Sequence, residues 1–156
     1  MDTLTLRLAE PGDAPAISAL IGQVMPYLTL HPDGEGAETF RQSMAPAAIA
    51  GYIGAGNVHY QMGFIGAELA GVVALRDRRH LFHLFVAPAF QRRGIGRLLW
   101  QAGKEAAIAA GNTQGFTVNS SVHAAAMYQR FGFVASGPRV EQHGIAYIPM
   151  QLTAGR

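Results

Sequence analysis

Apolar positions along the chain change period several times, and each change marks a new element. Thr3-Leu4-Thr5-Leu6-Arg7-Leu8 alternates polar and apolar, the pattern of a half-buried strand. Pro11-Gly12-Asp13 is a turn, with Asp13 placed to cap a helix. Ile17, Leu20, Ile21 and Val24 then recur at helical spacing until Pro26 stops them. Residues 27–37 hold Pro32, Gly34 and Gly36 and read as a loop. Residues 35–44 predict a helix, and Pro46 opens another through Ile53, since proline suits a first helical position. Two strands, 58–65 and 69–77, form a hairpin about Gly66-Ala67, and 81–86 is a third strand. Residues 94–110 predict a helix with Ile95, Leu98, Leu99, Ala102, Ala106 and Ala109 as its apolar stripe. A strand at 115–119, a helix at 121–131 capped by Ser120 or Ser121, and strands at 133–135 and 144–152 complete the series. Pro149 suggests an edge or a bulge in the last strand. With no repeat, low-complexity run or linker, this alternation of strands and helices predicts one α/β domain over residues 1–156.

Composition narrows the class. The chain has 156 residues, 49% of them hydrophobic and 14% charged, which describes a globular protein with a sizeable core. There is no cysteine, which removes disulfides, thiolate zinc sites and a cysteine nucleophile. No apolar run approaches the roughly 20 residues that span a bilayer. Met1-Asp2-Thr3-Leu4 lacks the basic and apolar regions of a secretion signal, so no membrane partner and a cytoplasmic location are expected. The net charge is +2. The cations are almost all arginine, and Arg76, Arg78, Arg79, Arg92, Arg93 and Arg97 lie close together in sequence, which fits a bound polyanion. Nucleic acid is the less favoured polyanion, because interleaved aromatics and a nucleic-acid motif are missing.

Candidate chemistry concentrates in 81–100. An apolar strand ends at Val86-Ala87-Pro88, a polar stretch Gln91-Arg92-Arg93 follows, and a helix begins at Gly94-Ile95-Gly96. Glycines allow close approach to the backbone, and a helix start offers unpaired N–H groups and the positive end of its dipole. Flanked by arginines, this is a site for a phosphate or pyrophosphate. A P-loop is absent, and Leu99 stands where a dinucleotide fingerprint needs its third glycine.

The run Gln91-Arg92-Arg93-Gly94-Ile95-Gly96 after Val86-Ala87-Pro88 resembles the acyl-CoA-binding loop of the GCN5-related N-acetyltransferase (GNAT) family. A second segment from Asn119 through Tyr128 to Gly132-Phe133 is similar to the family's Asn-x-x-Ala-x-x-x-Tyr-x-x-x-Gly-Phe. The element order matches the family's over nearly the whole chain. The resemblance implies a mixed, mostly antiparallel twisted sheet flanked by helices, with splayed central strands holding the pantetheine arm. It implies acetyl-CoA as co-substrate, no metal, and transfer of an acetyl group to an amine by direct attack in a ternary complex. It places cofactor contacts at Phe85, Val86, Gln91, Arg92, Arg93, Gly94, Ile95, Gly96, Arg97, Asn119 and Tyr128, with the Val86 N–H on the thioester carbonyl. Homodimer formation is a further family expectation.

Tyr128 takes the family position of the acid that protonates the leaving thiolate. A phenol with a pKa near 10 suits that task. Packing against Phe131 at helical spacing is the other role its position allows. Asn119 is placed either to bind cofactor or to cap the following helix. Many family members carry a carboxylate three residues before the loop-strand valine, where this chain has His83. Imidazole could serve as general base there, directly or through water, or be a packed strand residue. His31, His59 and His80 have weaker positional support, and none has metal-ligand spacing. The 27–37 loop, the two helices after it and the last hairpin are where acceptor specificity is expected, with Tyr27, His31, Tyr60 and Tyr147 as lining candidates. The resemblance implies a small-molecule or peptide/protein amine as acceptor. The alternatives are a non-catalytic acyl-CoA sensor, or acylation of a protein or aminoacyl-tRNA terminus.

Overall fold

The computed structural model describes residues 3–153, and its sheet is organised around the most continuously apolar strand. That strand, β3 (Glu68–Arg76), is buried without a break from Ala70 to Leu75. Successive side chains of a strand point to opposite faces, so unbroken burial requires cover on both sides. β2 (Val58–Ile65) and β4 (His80–Val86) pair with β3 antiparallel, and β1 (Leu4–Leu8) lies outside β2. Beyond β4 come β5 (Phe116–Ser121), β8 (Ile145–Leu152) and β6 (Val134–Ala135), while β7 (Val140–Gln142) also pairs with β8. The eight strands form one mixed, mostly antiparallel open sheet, and β4–β5 is the parallel pair.

Helices cover both faces. α1 (Ala14–Val24) and α3 (Pro46–Gly54) set Ile17, Ile21 and Ile49 against Met62, Val72 and Ala74. The short α2 (Glu38–Gln42) joins them. On the other face, α4 (Ile95–Ala109) and α5 (Ala125–Arg130) enclose Leu99, Trp100 and Tyr128 with Val73, Leu75, Phe116 and Phe133. Glycines set how close α4 comes. A Cβ on Gly103 would lie 2.7 Å from Leu75 Cδ1, and one on Gly71 would lie 2.7 Å from Leu99 Cδ1. The buried line of α4 is therefore Ile95, Leu99, Gly103 and Ala107, with Trp100 beside it. Leu98 and Ala109, expected in the stripe, are exposed. Hydrophobicity alone gives glycine no weight, yet Gly103 leaves no room for a side chain between helix and sheet.

Four local expectations change. Asp13 does not cap α1. It turns back to hold Arg7 through two bonds of 2.8 Å and accepts the Glu10 N–H. The helix expected over 35–44 contracts to α2, because Gly34 and Gly36 take positive φ and Asp33 holds the Glu35 N–H in a turn. The helix expected from Ser121 begins at Ala125, since β5 runs on through Ser121 and buries Ser120. β7 was not anticipated. It joins β8 through His143-Gly144, both at positive φ, which is the backbone of a tight hairpin turn.

Pro149 lies inside the sheet, paired with Asn119 on one side. Its carbonyl accepts the Ser136 N–H on the other side, so its missing N–H also faces that way. There the flanking strands β6 and β7 are interrupted between Ala135 and Val140, and no ladder bond is lost.

The β7–β8 turn is locked to the loop that follows α1. Leu30 N–H donates to the Gly144 carbonyl at 2.8 Å, and Thr29 bridges to Ile145. A Cβ on Gly144, whose φ is +77°, would lie 2.5 Å from the Gly36 carbonyl. Gly144→Ala is expected to destabilise the protein by about 3 kcal/mol, combining left-handed strain with overpacking against backbone that cannot swing aside. Urea denaturation checks this. A loss below about 1 kcal/mol would mean that the two segments are not locked together.

Candidate active site

β4 and β5 pair only at His80↔Thr117 and Leu81↔Val118. The next residue of β4, Phe82, is a bulge, because Leu75 opposes Leu81 while Ala74 opposes His83. A bulge bends its strand and raises the local twist. β4 leaves β5 at that point, so Phe82–Val86 has no strand beside it there, and Asn119–Ser121 keeps only its β8 partner.

Backbone parity decides what faces the gap. Ala87 N–H donates to Ala70, making 70/87 a hydrogen-bonded pair, so 71/86 is a non-bonded pair and 72/85 a bonded one. The Val86 and Leu84 N–H groups therefore point away from β3 into the gap. Phe85 spends its backbone on β3 and can offer a ligand only its ring. Gln91 donates its side-chain amide to the Val86 carbonyl at 3.0 Å, which commits that side chain to shaping the loop.

The loop opens the gap onto a helix start. Arg92 and Gly94 take φ of +65° and +77° with Arg93 between them at negative φ, an alternation that turns backbone N–H groups toward one concavity. The first backbone bond of α4 runs from Leu98 N–H to the Gly94 carbonyl, leaving the amides of Ile95, Gly96 and Arg97 unpaired within the helix. No acidic residue stands in that first turn. A Cβ on Gly96 would meet Met127 Sδ at 3.3 Å, so this glycine seats α4 against α5. Arg92, Arg93 and Arg97 are exposed, and Arg93 lies over the Phe90 ring at 5.5 Å. An anionic group fits this cradle. Arg76, Arg78 and Arg79 stand at the other end of β4, about 20 Å away for a strand of this length. The sequence cluster of arginines is thus two separate groups.

Tyr128 is buried in the α4–α5 core, edge-on to Phe131 at 6.0 Å and to Phe133 at 5.6 Å. Burial pushes its phenol pKa up, so the O–H is retained at every working pH. Asn119 is exposed on β5, one residue past the last pairing with β4, and is not a helix cap. His83 is 1% exposed, ringed by Tyr52, Tyr60, Phe82 and Phe85. Burial, with a smaller contribution from the Arg76 charge, holds its pKa down at about 3.

That depression links stability to pH. Between an ordinary unfolded pKa near 6.5 and the folded value near 3, the unfolded chain binds a proton that the native ring refuses, so stability falls as pH falls. At pH 4.5 the loss is about 2.7 kcal/mol, set by the distance from 6.5. Calorimetry should show Tm lower than at pH 7 by about 5–10 °C. His83→Phe should remove most of that slope. The remainder belongs to His80, which burial also shifts down. Asp13, lowered from 3.8 to about 2, loses its contribution between those two values and so adds little to the loss between pH 7 and pH 4.5. An unchanged acid slope in His83→Phe would refute the assignment.

The other candidates divide. His80 bonds Thr117 Oγ1 through Nδ1 at 2.8 Å, at the closed end of the strand pair. His59 lies on the α4 face of β2, in a cleft of about 540 Å³ between Asn57, Asp77 and the second half of α4 that shares no residue with the gap. His31 is exposed in the loop. Tyr27 is 54% exposed and meets His123 edge-on at 5.6 Å, joining the loop after α1 to the end of β5. Tyr147 accepts a bond from Gln142. Tyr60 lines no surface. It is buried, with its hydroxyl 2.7 Å from His83 Nδ1. Nothing in the sequence marked Tyr60 as His83's partner, because two strand residues 23 positions apart meet only across β3.

The fold has many solved counterparts. A GCN5-related N-acetyltransferase from Rhodopseudomonas palustris is 24% identical, with TM-score 0.79 over 98% of this chain and 97% of that one. The PaiA N-acetyltransferase of Thermoplasma acidophilum, solved in complex with coenzyme A, is 13% identical, with TM-score 0.78 over 97% and 99%. The ribosomal-protein-S18-alanine N-acetyltransferase of Escherichia coli is 17% identical, with TM-score 0.74 over 99% and 96%. No curated protein sequence matches the chain. Among the described residues no helix is long and apolar enough to cross a membrane. The family model for the acetyltransferase (GNAT) domain matches residues 29–154, which takes in the parted strands, the loop, Asn119 and Tyr128. The chain belongs to the GNAT acetyltransferase family.

Proposed function

We propose that the chain works as one domain that takes acetyl-CoA into the gap between β4 and β5 and passes the acetyl group to an amine while both substrates are bound. The observation that carries this reading is the parting of two strands directly in front of a helix start with unpaired amides. The amides of the Arg92–Arg97 segment hold the pyrophosphate, and Arg92, Arg93 and Arg97 add charge-assisted bonds. Asn119 and the Phe85 ring flank the arm. Val86 N–H, aimed into the gap by strand parity, donates to the thioester oxygen and stabilises the charge that develops there.

The nitrogen attacks the carbonyl carbon, the C–N bond forms, and the C–S bond breaks. Tyr128 gives its proton to the departing sulfur as the C–S bond breaks. The amine's own proton passes to water, because an imidazole held as low as His83 is a poor proton acceptor. With no cysteine in the chain, a cysteinyl acyl-enzyme is excluded.

A thermal-shift series with coenzyme A, acetyl-CoA, ATP and NADH tests the site. A ligand at a hundred times its Kd adds about 2.7 kcal/mol, several degrees in Tm for this size. A rise with coenzyme A and acetyl-CoA alone supports the reading. A rise with ATP or NADH but not coenzyme A overturns it.

A further inference from the structure

Tyr60 and His83 form a hydrogen-bonded pair inside the face covered by α1 and α3. Both are buried, and the Tyr60 hydroxyl lies 2.7 Å from Nδ1 of His83. Among the described residues, that nitrogen is the one hydrogen-bond partner of the hydroxyl. A buried O–H must donate, and burial keeps the phenol protonated, so the O–H points at Nδ1. A neutral imidazole carries a single N–H. With Nδ1 accepting, that N–H is on Nε2.

Nε2 of His83 is sealed from solvent and has no partner. The two ring nitrogens point away from one another. Nδ1 faces Tyr60 on β2, so Nε2 lies on the side of the ring away from β2, which in the strand order is the side of β5. The bulge brings Phe82 to the same side of the strand as His83, where the rings stack at 4.1 Å and 12°. Tyr52, Tyr60 and Phe85 border the ring at 5.4–5.7 Å. These four aromatic neighbours hold the ring in place, with one polar atom unused.

We propose that Tyr60 is a positioning residue that fixes His83 as the Nε2–H tautomer, so that the ring offers the acceptor side of the gap a hydrogen-bond donor. This rests on the reading of the gap as the transfer site. Its consequence is a substrate class. A donor is satisfied by an oxygen near the reacting amine, as in an amino-acid amide or a peptide N-terminus. A diamine in its protonated form brings only further donors and leaves the Nε2–H unpaired. Selection by a buried polar group works through this penalty.

The test uses the full chain with ¹⁵N-labelled histidine, the His83 signals being assigned by their loss in His83→Gln. At pH 7 without substrate, His83 should show a protonated Nε2 and an unprotonated Nδ1. Tyr60→Phe, which keeps the ring and removes the hydroxyl, should give mixed tautomers. In transfer assays with glycinamide, Tyr60→Phe should lower kcat about tenfold with the KM for acetyl-CoA unchanged. Wild-type protein should favour glycinamide over 1,5-diaminopentane, and Tyr60→Phe should narrow that preference. A protonated Nδ1 in the wild type, an unaffected Tyr60→Phe, or preference for the diamine would each overturn the proposal. Failure to bind acetyl-CoA would instead overturn the transfer site, while the tautomer, read without substrate, would still decide the part played by Tyr60.

Discussion

Gly94→Glu is expected to abolish coenzyme A binding, with affinity lowered at least a hundredfold in isothermal titration calorimetry. Gly94 has φ of +77° and stands immediately before α4. A Cβ there meets nothing within 4 Å, so a side chain has room and the protein still folds. Left-handed backbone costs a non-glycine residue about 1–2 kcal/mol of stability. Gly94→Ala carries that cost alone and should weaken binding only severalfold. The glutamate adds a carboxylate in front of the unpaired amides, where it occupies the cradle and repels phosphate. Two like charges 4 Å apart near a protein surface repel by about 4 kcal/mol, enough for a hundredfold loss. Retained binding in Gly94→Glu would mean that the phosphates lie elsewhere.

Tyr128→Phe is expected to lower kcat about a hundredfold while the Kd for coenzyme A changes less than twofold, the size of effect that general acid catalysis supplies. The substitution removes one oxygen and leaves the ring against Phe131 and Phe133. Stability is therefore kept, and lost turnover would report on the proton rather than on folding. Single-turnover measurement of thiol release separates the chemical step from product release. Unchanged turnover would leave Tyr128 as a core residue only.

Both predictions rest on features that differ in how far the chain discloses them. The loop motif is local. Gly94 needs a left-handed backbone, and the amides of Ile95–Arg97 are unpaired because any helix start leaves them so. Such properties follow from neighbours in sequence, which is why Gln91–Gly96 could be read directly. The Asn119–Tyr128 segment was legible in kind and not in form. Its helix starts four residues later than expected, because pairing with β8 carries Ser120 and Ser121 into the sheet, an outcome that helix propensity cannot anticipate. β7 escaped notice for a related reason. Val140-Glu141-Gln142 has little strand character alone and exists through its pairing with 145–147.

By itself the sequence determined most of the element order, the glycine-bearing loop motif Gln91–Gly96, and the family to which the chain belongs, since each depends on period, glycine or motif within a short window. Tertiary structure alone decided where β4 leaves β5, through a bulge at Phe82 that only the register with β3 reveals. It alone aimed the Val86 N–H into the gap, by the parity of the Ala70–Ala87 bond. It alone separated Arg76–Arg79 from Arg92–Arg97 along the length of one strand. It also turned His83 from an open residue into a buried neutral ring bonded to Tyr60, because burial and partners across a sheet are sums over distant residues that no single stretch of chain contains.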